Sequence, residues 1–95
     1  MHPFGAQVEG NKVVLTGEVD MEAAADLRQA LDEAARLDGS GLFVDLSAVT
    51  FIDSSGLREL TGALRYGNGV TLLGVGTATR RLLEITALDQ VFTVE

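Results

Sequence analysis

Asp53-Ser54-Ser55-Gly56 places a carboxylate, two hydroxyls and a glycine directly ahead of a segment with helical period. A hydroxyl in that setting lies beside unpaired amides and the positive end of a helix dipole, so a phosphate attached to it would find donors waiting. The same residues also make an ordinary helix start, with Ser54 or Ser55 as the N-cap and Gly56 allowing tight packing. Neither serine has a base to activate it: His2 is the only histidine, no cysteine is present, and Lys12 is the sole lysine. Self-activated nucleophiles, thiolate or histidine metal sites and a P-loop are excluded on that count, and no cofactor is expected. Chemistry on Ser54 has to come from an enzyme that binds this loop, with this protein as the substrate. Two roles are open to Asp53: orienting the hydroxyl for in-line attack on a γ-phosphoryl group, or holding the turn by a bond to its own backbone. Asp20 precedes another helical segment and reads either as a cap or as a contact. Asp45, inside an apolar strand, is expected to bond backbone amides near the same rim.

The elements that position these residues follow from hydrophobic period. Glu9-Gly10-Asn11-Lys12 is a turn signal, so Phe4 to Val8 is expected to pair antiparallel with the run containing Val13-Val14-Leu15. Met21 to Leu37 sets Ala23, Ala24, Leu27, Ala30, Leu31, Ala34 and Leu37 on one stripe, which predicts a helix with Asp20 as N-cap and Asp38-Gly39-Ser40-Gly41 as its end. Leu42 to Leu46 reads as a strand covered on both faces. Leu57, Leu60, Thr61 and Leu64 predict a helix from about Ser55 to Tyr66, stopped by Gly67-Asn68-Gly69. Val70 to Leu73 is strand, then Ala78, Leu82, Ile85 and Leu88 mark a third helix, and Val91 to Val94 is a last strand. The alternation implies an α/β fold: one domain over 1–95, a mostly parallel sheet with an antiparallel N-terminal edge strand, and about three helices. The expected core is Leu15, Leu27, Leu31, Phe43, Val44, Leu46, Leu57, Leu60, Leu64, Leu72 and Leu82. In such a sheet the loops after the parallel strands share a rim, here Gly17 to Met21, Ala48 to Gly56 and Gly74 to Thr79. Arg58, Glu59, Gly62 and Arg65 are expected on the outward face of the helix beside Ser54.

Composition narrows the partners. With 14 acidic and 7 basic residues the formal charge is −7, a field that repels phosphate backbones and anionic lipid. Nucleic acid and membranes are disfavoured, and no apolar run approaches a membrane span. The start, Met-His-Pro-Phe-Gly, lacks the regions of a secretory signal, so a cytoplasmic protein is expected. Gly74-Val75-Gly76-Thr77-Ala78-Thr79 is similar to a dinucleotide fingerprint but lacks its third glycine, and reads as a tight loop. Arg80 and Arg81 fall in a first helical turn, where the dipole disfavours cations, and read as solvated.

Taken together, Val14-Leu15-Thr16-Gly17-Glu18-Val19-Asp20, Val44-Asp45-Leu46-Ser47 and Phe51-Ile52-Asp53-Ser54-Ser55-Gly56-Leu57 resemble the STAS domain family. More narrowly they resemble its stand-alone anti-sigma factor antagonists, and the stretch from Arg80 to Phe92 is similar to the family's tail. The resemblance implies that Ser54 is phosphorylated by an anti-sigma factor that is itself a serine kinase, with a serine phosphatase as its counterpart. It also implies that Asp20, Asp53 and Gly56 belong to the surface that kinase grips and that the protein regulates transcription; Met21, Ser54, Ser55, Arg58 and Glu59 are expected in the same partner-binding surface, and the missing histidine, cysteine and lysine pocket argues against an enzyme. The alternative is a constitutive STAS scaffold subunit of a lipid-transport or stress-sensing complex, with Ser54 only a cap. Two departures stand out: Ala87 occupies a position where glycine is common, expected to be neutral, and the chain stops at Glu95 without the further C-terminal helix many members carry, expected to expose a strip of sheet or helix.

Overall fold

A turn at Gly10 and Asn11 folds strand β1 (Gly5–Glu9) antiparallel onto β2 (Lys12–Val19), with Glu9 opposite Lys12. These belong to a computed structural model that describes residues 3–37, 41–67 and 69–95. The expected helix stops at residues 38–40 and Asn68, the side chain of Leu37, and His2 lie outside the described residues. Helix α1 (Ala24–Leu37) leads to β3 (Leu42–Ile52), and α2 (Ser54–Gly62) runs on as a 3-10 turn at Ala63–Tyr66. Strand β4 (Val70–Leu73), helix α3 (Thr77–Ile85), a 3-10 turn at Leu88–Gln90 and β5 (Thr93–Val94) follow. The sheet order is β1-β2-β3-β4-β5, antiparallel at β1–β2 and parallel elsewhere. This is the α/β architecture with three helices that the alternation of periods implies.

The period-2 alternation of β2 sends Val13, Leu15 and Val19 inward, where Leu27, Leu31 and Ala34 of α1 meet them. Leu57, Leu60 and Ala63 extend this core from α2's side, and Val44, Leu46, Val70 and Leu72 form its floor. Leu15, Leu27, Leu60, Leu72 and Leu83 are fully buried, each stabilising the fold by about 1.5–3 kcal/mol. The opposite face of the sheet is only half covered: Val14, Phe43, Asp45, Thr71 and Leu73 are half-buried. Leu42 to Leu46 is thus a one-sided strand and not one covered on both faces. Phe43 leaves the expected core for that reason, and Leu64 and Leu82 pack at its margin.

Four further elements differ from expectation. β3 continues past Leu46 to Ile52, so most of the expected middle loop is strand. It does so by two register shifts against β2, one between the pairs Val14–Asp45 and Thr16–Ala48, the other between Gly17–Val49 and Glu18–Phe51. Each shift adds a residue to β3, in the manner of a bulge. α1 begins at Ala24 rather than Met21, behind a turn at Met21–Ala23. In α3 the buried residue is Leu83, while Ile85 is 74% exposed, because Leu88 belongs to a separate 3-10 turn and sets no phase for the helix. β5 begins at Thr93, after an exposed Val91 and a buried Phe92.

Ala87 precedes that turn with φ 61°, the left-handed region, and is the one described non-glycine residue there. The departure at Ala87 is therefore not neutral: a β-carbon is disfavoured in this conformation and a glycine is not.

Candidate functional site

Val19 and Ile52 are register partners at the ends of β2 and β3, so Asp20 and Asp53 leave the sheet side by side. The Asp53 amide donates to the Val19 carbonyl at 3.2 Å, tying the two exits together. Asp53 itself has extended backbone, φ −110° and ψ −173°, and its Oδ1 accepts from the amides of Ser55 at 2.9 Å and Gly56 at 3.1 Å. Its carbonyl accepts from the Leu57 amide at 3.1 Å. Asp53 is thus the N-cap of α2, and the expectation of a serine cap at Ser54 or Ser55 is corrected. An aspartate with extended φ/ψ satisfies two terminal amides at once, which leaves no amide for a serine one residue further on. Of the two roles open to Asp53, the turn-holding one is observed, and no hydrogen bond joins its carboxylate to the Ser54 hydroxyl. Ser54 is the first residue of α2, exposed, and Ser55 is half-buried.

Asp20 behaves in parallel. Its Oδ1 accepts from the amides of Glu22 at 3.1 Å and Ala23 at 3.2 Å, so it caps the turn that leads into α1. Within that turn Met21 is 74% exposed, and at the end of β3 Phe51 is 52% exposed. Phe51 is not the buried anchor its position among apolar residues suggests; Ile52 buries instead, at the position paired with Val19. Gly56 is buried beneath the rim, where an added β-carbon would meet Val19 Cγ1, Ile52 Cγ1 and the Val19 carbonyl.

Helix α2 divides the remaining expected residues. Arg58 is exposed and makes no hydrogen bond or ion pair among the described residues. Glu59, expected outward, is turned inward onto α1: Arg28 Nε donates to Oε1 at 2.8 Å and Nη2 to Oε2 at 2.7 Å. This two-pronged pair holds the Glu59 carboxyl below its ordinary pKa, chiefly through the Arg28 hydrogen bonds, and raises that of Arg28. Gly62 is half-buried, and Arg65, although exposed, reaches Asp32 Oδ1 at 3.1 Å. Arg28 was not legible as a site neighbour, because its partner lies 31 residues away and nothing local marks it.

Asp45 accepts from the Ser47 amide at 2.9 Å and the Ser47 hydroxyl at 2.7 Å, with Lys12 Nζ 3.9 Å from Oδ2. These bonds, the hydroxyl's first, lower its pKa. The structural role expected of Asp45 is observed, but its place is not the Asp53 rim: it pairs with Leu73 at the end of β4, while β3 runs on to Ile52. Ser47 in turn lies over Gly74, whose φ is 64° and where an added β-carbon would be 2.7 Å from Ser47 Cβ, so a side chain is excluded. Beyond it, Gly76 at the N-cap of α3 and Thr77 and Thr79 within it line a groove together with Val49 and Phe51 of β3. Arg80 and Arg81 are exposed. Among the described residues no helix is long and apolar enough to cross a membrane.

The rim thus gathers Asp20, Met21, Asp53, Ser54, Ser55 and Arg58 at the surface, with Gly56 and Glu59 supporting from beneath. A family model described as "Mlab, STAS domain" matches residues 3–94. The chain is 35% identical over 79 residues to the anti-sigma-F factor antagonist RsfB of Mycobacterium tuberculosis, covering 80% of this chain and only 65% of that relative's length. It is 29% identical over 87 residues to the anti-sigma-B factor antagonist of Listeria monocytogenes, covering 87% of this chain and 76% of that one. The crystal structure of an anti-sigma factor antagonist from Mycobacterium paratuberculosis superimposes with a TM-score of 0.78 at 30% identity, over 99% of this chain and 85% of that one. Matched along nearly all of its length and in its strand order, the chain belongs to the STAS domain family.

Proposed function

We propose that this protein is an anti-sigma factor antagonist: it binds an anti-sigma factor kinase, frees a sigma factor, and is switched off when that kinase phosphorylates Ser54. The observation that carries the reading is the division of labour at the start of α2. Asp53 supplies the cap, so the exposed Ser54 hydroxyl is outside the bonds that hold the helix and can be modified without removing them. The names of the relatives support the same reading. In the transfer, Ser54 Oγ takes the γ-phosphoryl of ATP, ADP leaves, and the hydroxyl proton goes to a base of the kinase. The chain is substrate and ligand, not enzyme, and a serine phosphatase reverses the step. Asp20, Met21, Asp53, Ser55 and Arg58 form the docking surface around Ser54. Gly56 and Glu59 act from below, by setting the height and tilt of α2. A phosphoserine adds about −1.5 to −2 charges beside Asp53. A penalty of about 3 kcal/mol at the contact lowers affinity roughly a hundredfold. The charge of −7 fits a cytoplasmic protein that avoids nucleic acid and membranes.

The experiment is incubation with anti-sigma factor kinases and ATP, followed by intact mass and binding titration. Wild type gains one phosphate and then binds weakly; Ser54→Ala gains none and binds persistently; Ser54→Asp folds and binds poorly. Tight binding by wild type, Ser54→Ala and Ser54→Asp alike, with no phosphate gained, assigns the chain to the constitutive scaffold class instead.

A further inference from the structure

Resting on that reading of Ser54, we propose that Arg58 is the phosphate's own partner, and that the phase of α2 is what separates Ser54 from Ser55 as a site able to hold one. Both serines open the same continuous helix, Ser54–Gly62. Residues four apart on a helix are neighbours, so Ser54 is stacked under Arg58 and Ser55 under Glu59. The two neighbours have opposite charge and opposite circumstances. Arg58 is exposed and makes no hydrogen bond or ion pair among the described residues, whereas Glu59 is buried and both its oxygens are held by Arg28.

Most of the first-turn amides are already engaged, those of Ser55 and Gly56 by Asp53 Oδ1 and that of Leu57 by the Asp53 carbonyl, which leaves the phosphate only the Ser54 amide and whatever side chain stands beside it. Asp53 ahead of the serine and Asp20 across the paired strand ends add negative charge that repels a phosphate. Of the other cations close by in the fold, Arg28 is taken by Glu59 and Arg65 by Asp32. Arg58 is what α2 offers. An acid one turn N-terminal to a base is also the favourable order for such a pair, and a guanidinium matches phosphate oxygens in a fork.

On Ser55 the same group would stand half-buried against the Glu59 carboxylate and contest its hold on Arg28. On Ser54 it draws Arg58 onto the helix's own surface. Phosphorylation then acts twice at the docking face, adding negative charge and withdrawing the cation that a partner's carboxylate would meet.

The test needs no kinase. Phosphoserine is installed during translation at position 54 in the wild-type, Arg58→Gln and Arg58→Lys chains, and its second ionisation is followed by phosphorus NMR. The wild-type midpoint is expected about 0.2–0.4 pH unit below that of Arg58→Gln, with Arg58→Lys recovering part of the difference and added salt shrinking it. Phosphoserine at position 55 is expected to lower the thermal midpoint of the fold, and phosphoserine at 54 to leave it near that of the unmodified protein. Coincident ionisation midpoints in wild type and Arg58→Gln overturn the pairing, and equal thermal midpoints for the 54 and 55 forms overturn the selection. A kinase that never labels Ser54 overturns the functional reading and leaves these measurements unaffected.

Discussion

Gly56 lies against Val19 with no room for a side chain: a β-carbon added to the glycine would be 2.7 Å from Val19 Cγ1 and 2.8 Å from the Val19 carbonyl oxygen. That same carbonyl accepts the Asp53 amide. Gly56→Ala is therefore expected to push α2 off the sheet, at a cost of about 1–3 kcal/mol in denaturant unfolding. The displacement carries Ser54 with it, so binding to the proposed kinase partner should weaken by more than the stability loss alone explains. Unchanged stability would show that α2 has slack at its start.

The cap assignment separates Asp53 from Ser54. Asp53→Ala removes the acceptor of two amides and is expected to cost about 0.5–2 kcal/mol. Ser54→Ala removes an exposed hydroxyl outside the cap and should change stability by no more than about 0.5 kcal/mol. Matched urea titrations of the two variants decide it, and the reverse order of costs would return the cap to the serine.

Acid should loosen the fold through two carboxylates. Glu59 and Asp45 have folded-state pKa values lowered from 4.5 and 3.8, by Arg28 and by Ser47 respectively. A lowered folded value means the unfolded chain binds protons first. The stabilisation is complete above the unfolded values and is lost as pH falls through the folded ones. Stability is expected to be flat from neutral pH down to about pH 5 and to fall steadily below about pH 4.5. Glu59→Gln should flatten part of that decline while lowering stability at neutral pH, read from unfolding midpoints across a pH series. An acid limb identical to wild type would mean the Arg28 pair contributes nothing to it.

At the far end of the chain, Ala87→Gly should raise stability by about 0.5–1 kcal/mol, because the left-handed conformation disfavours alanine by more than glycine's extra unfolded freedom costs. In α3, Leu83→Ala should cost about 2–5 kcal/mol, whereas Ile85→Ala should stay within about 0.5 kcal/mol. A costly Ile85→Ala would restore the helix phase that period alone suggests.

The places where sequence pattern reads true are those where one signal acts alone. Of the expected stripe, Leu27, Ala30, Leu31 and Ala34 mark the buried side of α1, with Ala23 buried in the turn ahead of it and Ala24 half-buried, since no competing phase exists in that segment. The antiparallel edge strand, the parallel strands after it and the place of Asp20 and Asp53 at the strand ends follow from the same regularity. Where signals compete, pattern fails. Asp53, Ser54 and Ser55 are all capable caps, and only the extended backbone at Asp53 ranks them. Leu82 and Leu83 are adjacent leucines, and the one that buries is chosen by how α3 lies on the sheet. Glu59 looks like a solvated acid until Arg28 is brought to it by the packing of α1 on α2.

From Val13 to Val19 the second strand takes two residues fewer than β3 takes from Val44 to Ile52, although the two pairs of ends face each other. From Val44 onward the residues of β3 that meet the core are Val44, Leu46, Val49 and Ile52, a step of two followed by two steps of three. Two irregularities cancel, so Ile52 ends on the side where Val44 began. The length of β3 is thus a parity count: a residue lost or gained away from the two irregularities is expected to turn the last stretch over, burying Phe51 in place of Ile52, whereas removal of the extra residue at either irregularity keeps Ile52 inward. Such single-residue length changes are expected to disrupt the rim while sparing every residue in it, which makes the spacing itself, and not only the identities, part of what this surface needs.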